Sequence, residues 1–203
     1  ITLPETTIAI NNSCFAQLDC VFTINWEELP RLVRIYDSAF AQSGLTGVIH
    51  PVQSTYMMLL RNAAFYQTNI VEADFSDVSL EDYGESALAD CKQLQSVSFG
   101  WVCRKSDGKF MSIIPNGSFY GCDALTDLYF TTEEPIGLLT WYPHAPFQFA
   151  DGICDRNIRI HVPEGCEEAY FRAWKPMFIG YTDEEIENGT YYIDMSMSQL
   201  SWM

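Results

Sequence analysis

The chain has 203 residues, 48% hydrophobic and 19% charged, a core-forming composition that fits one ordinary domain or one short stack of repeats. Its 27 acids against 11 bases give a net charge of −16; this disfavours a nucleic-acid role, which needs clustered Lys and Arg, and binding to anionic membranes. No apolar run approaches the roughly 18 residues of a membrane span, so no membrane insertion is expected of this chain.

Ile1-Thr2-Leu3-Pro4 lacks the basic start and cleavage pattern of a signal peptide, and the missing initiator Met is expected of a processed or excised chain. A pattern then begins at Ile10-Asn11-Asn12-Ser13-Cys14-Phe15-Ala16-Gln17 and ends in Val21-Phe22-Thr23-Ile24. It returns through Ala39-Phe40-Ala41, Ser43 and Leu45 to Ile49, and again through Ala64-Phe65-Tyr66 to Phe75. Phe15, Phe40 and Phe65 are spaced 25 and 25 residues apart, a period within the leucine-rich-repeat range of about 20–29.

The clearest copies follow. Ala87-Leu88-Ala89-Asp90-Cys91-Lys92-Gln93-Leu94-Gln95-Ser96-Val97-Ser98-Phe99 is matched by Ser118-Phe119-Tyr120-Gly121-Cys122-Asp123-Ala124-Leu125-Thr126-Asp127-Leu128-Tyr129-Phe130. Both read small, large apolar, two variable, Cys, two variable, Leu, two variable, apolar, one variable, Phe. Such a register is what stacked units require, because each must present the same residues to the same core. Later units lengthen: Cys91 to Cys122 is 31 residues and Cys122 to Cys154 is 32. The extra residues fall in 100–116 and 131–148, which are rich in Gly, Pro and aromatics and read as loops. A degenerate sixth copy runs from Cys154 through Asn157 to Ile158-Arg159-Ile160-His161-Val162.

The end of each unit alternates with period 2 and favours β-branched or aromatic residues, so each predicts a short strand. The strands should end near Ile24, Ile49, Phe75, Phe99, Phe130 and Val162 and pair in parallel. The Ala-Phe-x-x-Cys element is too short for a free-standing helix and predicts a tight helical turn. After Pro163, residues 164–175 predict an amphipathic helix with acids in its first turn, Arg172 and Lys175 in its last, and Ala169, Tyr170, Ala173 and Trp174 on its apolar face. Pro176 stops it, and such a helix would cover the end of a repeat stack. Asn188-Gly189 between alternating apolar runs predicts a hairpin, and 195–203 a strand or tail.

These residues resemble the BspA-type leucine-rich repeat family, whose units read roughly I-x-x-x-A-F-x-x-C-x-x-L-x-x-V-x-I-P. Ala87, Leu88, Cys91, Leu94, Val97 and Phe99 match by position, with Leu88 where the family has Phe. Phe119, Cys122, Leu125, Leu128 and Phe130 match in the next unit, with Ser118 in place of Ala. Val162-Pro163-Glu164-Gly165 and the helix after it look like the segment that closes such arrays. The resemblance covers about 8–176; Gly47 within a strand, His50 before Pro51 and the two insertions depart from it. It implies an α/β leucine-rich repeat solenoid, a right-handed β-α superhelix with one curved parallel sheet, short helical turns and a C-terminal capping helix. About six units would fill 1–180, with 181–203 as a hairpin or tail packed on them. Such proteins are typically secreted or displayed on bacterial surfaces, where they adhere to host extracellular proteins or other cells, and the family has no general catalytic residues to transfer.

Little in the chain points to chemistry. Seven cysteines without a CxxC fit neither a zinc site nor a complete disulfide framework. Cys91 and Cys122 read as small core fillers, and Cys103 as the most exposed of the seven. His50, His144 and His161 share no metal-ligand spacing, and there is no Gly-x-Ser-x-Gly elbow or phosphate loop. No cofactor is expected and no enzyme. Glu72, Asp74, Asp77, Glu81 and Asp82 offer oxygen ligands without EF-hand order, a reading open between a cation site and a solvated acidic face. Trp101, Trp141, Tyr142, Phe147 and Phe149 lie in or beside the insertions, open between partner hot spots, sugar platforms and extra core. The strands would display Ser96, Ser98, Thr126, Asp127, Tyr129, Arg159 and His161 outward. The expected function is a non-enzymatic extracellular or cell-surface module for protein binding and adhesion, with Trp101, Trp141, Tyr142, Tyr129, Arg159 and His161 as candidate partner-binding residues. A structural spacer of a longer surface protein and a carbohydrate-binding module are the alternatives.

Overall fold

The computed structural model describes residues 1–52, 57–106, 109–111, 113–115, 117–138, 158–174 and 200–202. In chain order its strands begin with β1 (Ala9–Ile10), β2 (Arg34–Ile35), β3 (Thr46–Ile49), β4 (Met58–Leu60), β5 (Asn69–Phe75), β6 (Leu80–Glu81) and β7 (Ser96–Phe99). They continue with β8 (Val102–Ser106), β9 (Lys109–Met111), β10 (Ile113–Ile114), β11 (Asp127–Phe130), β12 (Gly137–Leu138), β13 (Ile158–His161) and β14 (Leu200–Trp202). Among the described residues one α-helix, α1 (Glu167–Trp174), lies between the last two, and a short 3-10 turn spans Trp26–Glu28.

These strands form two main sheets where one was expected. The longer strands line up as β3-β5-β7-β11-β13-β14, all parallel, and the short ones as β1-β2-β4-β6-β8, also parallel. The second sheet escapes sequence reading because β1, β2 and β6 have two residues each, too few for a period-2 pattern to appear. The insertion read as a loop at 100–116 holds β8, which turns back antiparallel onto β9, and then β10, which pairs with β12. The expected first strand near Ile24 is reduced to one bridge, Phe22 with Leu45. Gly47, out of place in a strand, has φ +87° and sits where the β3–β5 register shifts, a position that favours glycine.

The Ala-Phe elements are not helical turns. Each carries two left-handed residues four apart: Ser13 and Gln17, Ser38 and Gln42, Ala63 and Gln67, Ser86 and Asp90, Gly117 and Gly121, with φ between 52° and 70°. Ser13, Ser38 and Ala63 stand third in turns closed by Cys14 N–H to Asn11 O, Ala39 N–H to Tyr36 O and Ala64 N–H to Arg61 O, the position where a type II turn needs φ > 0. Alternate N–H groups are thereby turned toward the next unit. Ser13, Phe15 and Gln17 donate to the carbonyls of Asp37, Ala39 and Ala41 at 2.8–3.1 Å; Ser38, Phe40 and Gln42 repeat this onto Asn62, Ala64 and Tyr66 at 2.7–2.9 Å. The turns are therefore a third parallel ladder. Their side chains extend it: the amide of Gln17 donates to Gln42 (3.3 Å), Gln42 to Gln67 (2.9 Å) and Gln67 to Asp90 (3.3 Å).

The core fills the space between sheets and turns. Phe15 stacks on Phe40 with ring centroids 5.1 Å apart, and Phe40 on Phe65 at 5.3 Å. A second column, Phe75, Phe99 and Phe130, runs behind the long sheet at 6.2 and 5.7 Å. Each fully buried ring contributes about 2–3 kcal/mol of transfer free energy. Tyr170 of α1 continues that column, 5.6 Å from Phe130, fully buried, its hydroxyl 2.9 Å from the Thr132 carbonyl. The helix starts at Glu167 and not at 164, since 164–165 form a turn with Cys166 N–H bonded to Pro163 O. Ala169, assigned to its apolar face, is exposed, while Tyr170 and Ala173 pack inward. The side chain of Trp174 and the Asn188-Gly189 hairpin lie outside what is described.

Cys91 and Cys122 are fully buried, and they do more than fill space. Cys91 Sγ donates to the Phe65 carbonyl and Cys122 Sγ to the Leu88 carbonyl, both at 3.1 Å. Thr68 and Ser43 hold the equivalent place in earlier units and are also buried. The position thus takes a small side chain with a donor. Burial pushes the Cys91 thiol up to about 11 and the Cys122 thiol well above its ordinary value. Cys14 and Cys20 are exposed; the side chains of Cys103 and Cys154 lie outside what is described.

Three outcomes test this fold. In a helical turn Ala63→Gly would cost about 1 kcal/mol; at φ +52° it should cost nothing or stabilise the chain in urea denaturation. Gly121→Ala should destabilise by about 1–3 kcal/mol, since Gly121 has φ +70° and an added Cβ would also push aside the Asp90 carboxylate. Alkylation mapped by mass spectrometry should label Cys14 and Cys20 in the native chain. Cys91 and Cys122 should stay unmodified from pH 7 to 9 until denaturant is added.

Candidate protein-binding face

The pleat sends alternate residues of the long sheet outward, and parallel register places them in rows. Glu72, Ser96, Asp127 and Arg159 occupy one row across β5, β7, β11 and β13; Asp74, Ser98, Tyr129 and His161 occupy the next. Val48, 49% exposed, extends the first row onto β3 beside Glu72.

At the β11–β13 end the side chains are locked together. Asp127 and Arg159 face each other directly, and Arg159 Nη2 donates to Asp127 Oδ2 at 2.6 Å. His161 Nε2 lies 2.8 Å from Asp127 Oδ1, and the Thr126 hydroxyl donates to Oδ2 at 2.8 Å. These neighbours cover Asp127, which is only 7% exposed although its strand position points outward. Burial alone would raise its carboxyl pKa, but hydrogen bonds from Arg159, His161 and Thr126 and the charge of Arg159 outweigh it and hold the group at about 2. An ionised carboxylate only accepts, so Nε2 of His161 is the protonated nitrogen in that contact. The His161 ring in turn stacks on Tyr129, centroids 4.1 Å apart and planes 10° from parallel. Tyr129 keeps 39% of its surface exposed. The cluster presents a rigid aromatic pair beside a neutralised ion pair.

The β3–β5 end is acidic. His50 lies between Glu27 (3.6 Å), Asp77 (3.7 Å) and Asp74 (3.8 Å). The five acids from Glu72 to Asp82 are not gathered at one place. Glu72 and Asp74 sit on β5, while Glu81 lies on β6 of the other sheet and the adjoining Asp82 pairs with Arg61. Among the described residues no three His, Cys, Asp or Glu side chains are grouped to hold a metal ion.

Trp101 lies at the corner between β7 and β8, 37% exposed, its backbone carbonyl accepting the Leu80 N–H at 2.8 Å. Trp141, Tyr142, Phe147 and Phe149 lie outside the described residues. Of the candidate binding residues, Tyr129, Arg159 and His161 are thus brought together, and Trp101 stands apart at the sheet corner. Asp127 was legible as an outward residue but not as the centre of the cluster. The signal was available in the spacing, because Asp127 falls at the same repeat position as Arg159.

The family model for the BspA type leucine-rich repeat region matches residues 1–105 in six copies. No curated protein and no solved structure matches the chain. Among the described residues no helix is long and apolar enough to cross a membrane. Beyond residue 105, β11 and β13 carry on the same sheet in register with β7.

The pKa of Asp127 gives a test with a definite sign. A folded value of about 2, below the unfolded value of about 3.9, contributes stability that is present above pH 4 and lost as pH falls toward 2. Asp127→Asn should therefore be less stable than the parent at pH 7 and should flatten the loss between pH 4 and 2, measured by urea denaturation across that range.

The register of the sheets, the repeated turns and the family match over just over half the chain agree, and the protein belongs to the BspA-type leucine-rich repeat family.

Proposed function

We propose that this chain is a non-enzymatic protein-binding module of a bacterial cell surface or of a secreted protein, acting in adhesion to a host extracellular protein or another cell. The observation that carries the reading is the outward face of the six-stranded sheet. It runs in register from β5 through β13, and it carries the Tyr129–His161 stack braced by Asp127 and Arg159. Partner hot spots favour Tyr, Trp and Arg on rigid supports, where few rotamers are lost on binding. A cross-strand network on a stacked sheet is such a support, and extended faces of this kind are what repeat proteins offer their partners.

In this reading the units wind as a right-handed solenoid over 1–180, α1 caps its last core layer through Tyr170, and 181–203 pack against it. The β3–β5 end is acidic while Arg159 at the other end is neutralised by Asp127, so charge along the face favours a partner whose basic groups meet Glu72 and Asp74. Trp101, Trp141 and Tyr142 would add aromatic contacts at the rim.

The test is capture of extracellular-matrix proteins by the whole chain, run beside a glycan array, with Tyr129→Ala/His161→Ala and Trp101→Ala as variants. Binding to a protein should fall at least tenfold, about 1.4 kcal/mol, in a double variant whose melting temperature matches the parent. Retention of binding in both variants would remove the face from the argument. Capture of glycans alone would replace the reading with a carbohydrate module, and no capture with one of a structural spacer.

A further inference from the structure

The second sheet carries a surface that the reading above leaves unused. Outside β1, β2 and β4 lies an open groove of about 610 Å3, floored by Ile8, Val33, Met57 and Leu59 and flanked by Arg31 and Arg34. Ile8 is 43% exposed and Met57 47%. Register builds the groove: Arg34 on β2 faces Leu59 on β4, which faces Glu81 on β6. One row thus runs cation, apolar, anion across three strands.

Charge separates this groove from the rest of the molecule. Five basic residues have described side chains, and Arg61, Lys92 and Arg159 each hold a carboxylate: Asp82, Asp90 and Asp127. Arg31 and Arg34 have no ion-pair partner among the described residues, although acids outnumber bases 27 to 11 in the chain. Both are exposed and stand three residues apart beside apolar surface. A guanidinium presents a planar fork that matches a carboxylate in two-point hydrogen bonding. Phosphate-rich polymers suit it as well, but Glu81 at the far side of the groove and the net charge of −16 oppose a polyanion.

We infer that this groove docks an extended acidic peptide segment of a partner protein, its carboxylates on Arg31 and Arg34 and its aliphatic side chains over Leu59, Met57 and Val33. Glu81 sets the direction of the segment. It repels acids placed beyond the aliphatic stretch and accepts a backbone N–H or a basic side chain there. The site is on a different sheet from the Tyr129 face, so the two surfaces can be occupied together and fail independently.

The probe is a phage-displayed random heptapeptide library selected on the whole chain and counter-selected on the Arg31→Glu/Arg34→Glu variant. Enriched clones should combine Asp or Glu with Leu, Ile or Val. Their synthetic peptides should bind the double variant at least tenfold more weakly, bind Glu81→Gln a few-fold more tightly, and weaken as salt is raised. Tyr129→Ala/His161→Ala should leave this binding unchanged, and matching thermal melts should establish that the variants are folded. Clones without acids, clones that bind parent and double variant alike, or no enrichment at all would overturn the inference. So would a concentration-dependent dimer abolished by the double variant, which would give the groove to a second copy of this chain.

Discussion

The structure depends on one constraint: each unit must lay the same backbone atoms over those of the unit before it. In an ordinary loop the peptide groups would satisfy themselves with water. Here Ser13, Phe15 and Gln17 spend their N–H groups on Asp37, Ala39 and Ala41, and the next two turns do the same. The left-handed residues follow from this demand, because they rotate alternate peptides to face along the stack. Such a conformation costs about 1–2 kcal/mol for a residue with a Cβ. The fifth turn uses Gly117 and Gly121 at the two places where the fourth has Ser86 and Asp90, which is the substitution that the backbone there favours. Close stacking also explains Gly44, where an added Cβ would lie 2.3 Å from the Cys20 carbonyl oxygen.

Once the backbone is stacked, the side chains at equivalent positions meet their own kind. Phe rests on Phe, Gln on Gln, and the buried Ser43, Thr68, Cys91 and Cys122 follow one another down a single column. That column explains why the four inner units take Ser, Thr or Cys at this place, while the first unit, half-buried at the end of the stack, has Leu18. The Phe65 carbonyl accepts from the Thr68 hydroxyl at 2.9 Å and from the Cys91 thiol at 3.1 Å, one donor from its own unit and one from the next. A valine of similar volume would bury that carbonyl with fewer partners, at about 1–3 kcal/mol for each unmet group. Insertions enter where this column does not pass: Val102 of β8 still pairs with Leu80 of β6, and the extra residues of that lengthened unit follow β8, where β9 turns back antiparallel.

Legibility in the sequence followed the size of the repeating signal. The long strands were readable because four outward and inward positions recur with the unit, and the parallel pairing follows from their common direction. The short sheet was not, because Ile10, Ile35 and Leu80 are single inward apolar residues indistinguishable from buried loop positions. The turns were misread for a different reason. Small-apolar-polar runs such as Ser38-Ala39-Phe40-Ala41-Gln42 suit a helical turn by propensity, and only the inter-unit ladder overrides that preference. At the candidate site, repeat arithmetic put Tyr129, Arg159 and His161 on one face. It could not say that Asp127 bonds both basic partners, because that depends on a direct and a diagonal cross-strand neighbour at once.

The two sheets also divide the charge of the chain, and this bears on how it associates. On the long sheet the acids Glu72, Asp74 and Asp77 lie toward one end, and the only arginine of that face, among the described residues, is neutralised by Asp127. On the short sheet Arg31 and Arg34 have no ion-pair partner among the described residues and flank apolar surface. A strongly acidic chain keeps copies of itself apart by repulsion, yet the described residues retain a patch where an acid is attracted. Two unpaired arginines cost little on an exposed surface, so stability gives no reason to neutralise them. Their value lies in discrimination: on a chain of net charge −16, a partner that carries both carboxylates and aliphatic side chains is drawn to them over the acidic surfaces among the described residues. The rigid ladder beneath them holds that patch in shape without any ligand, so little ordering is left to be done on binding.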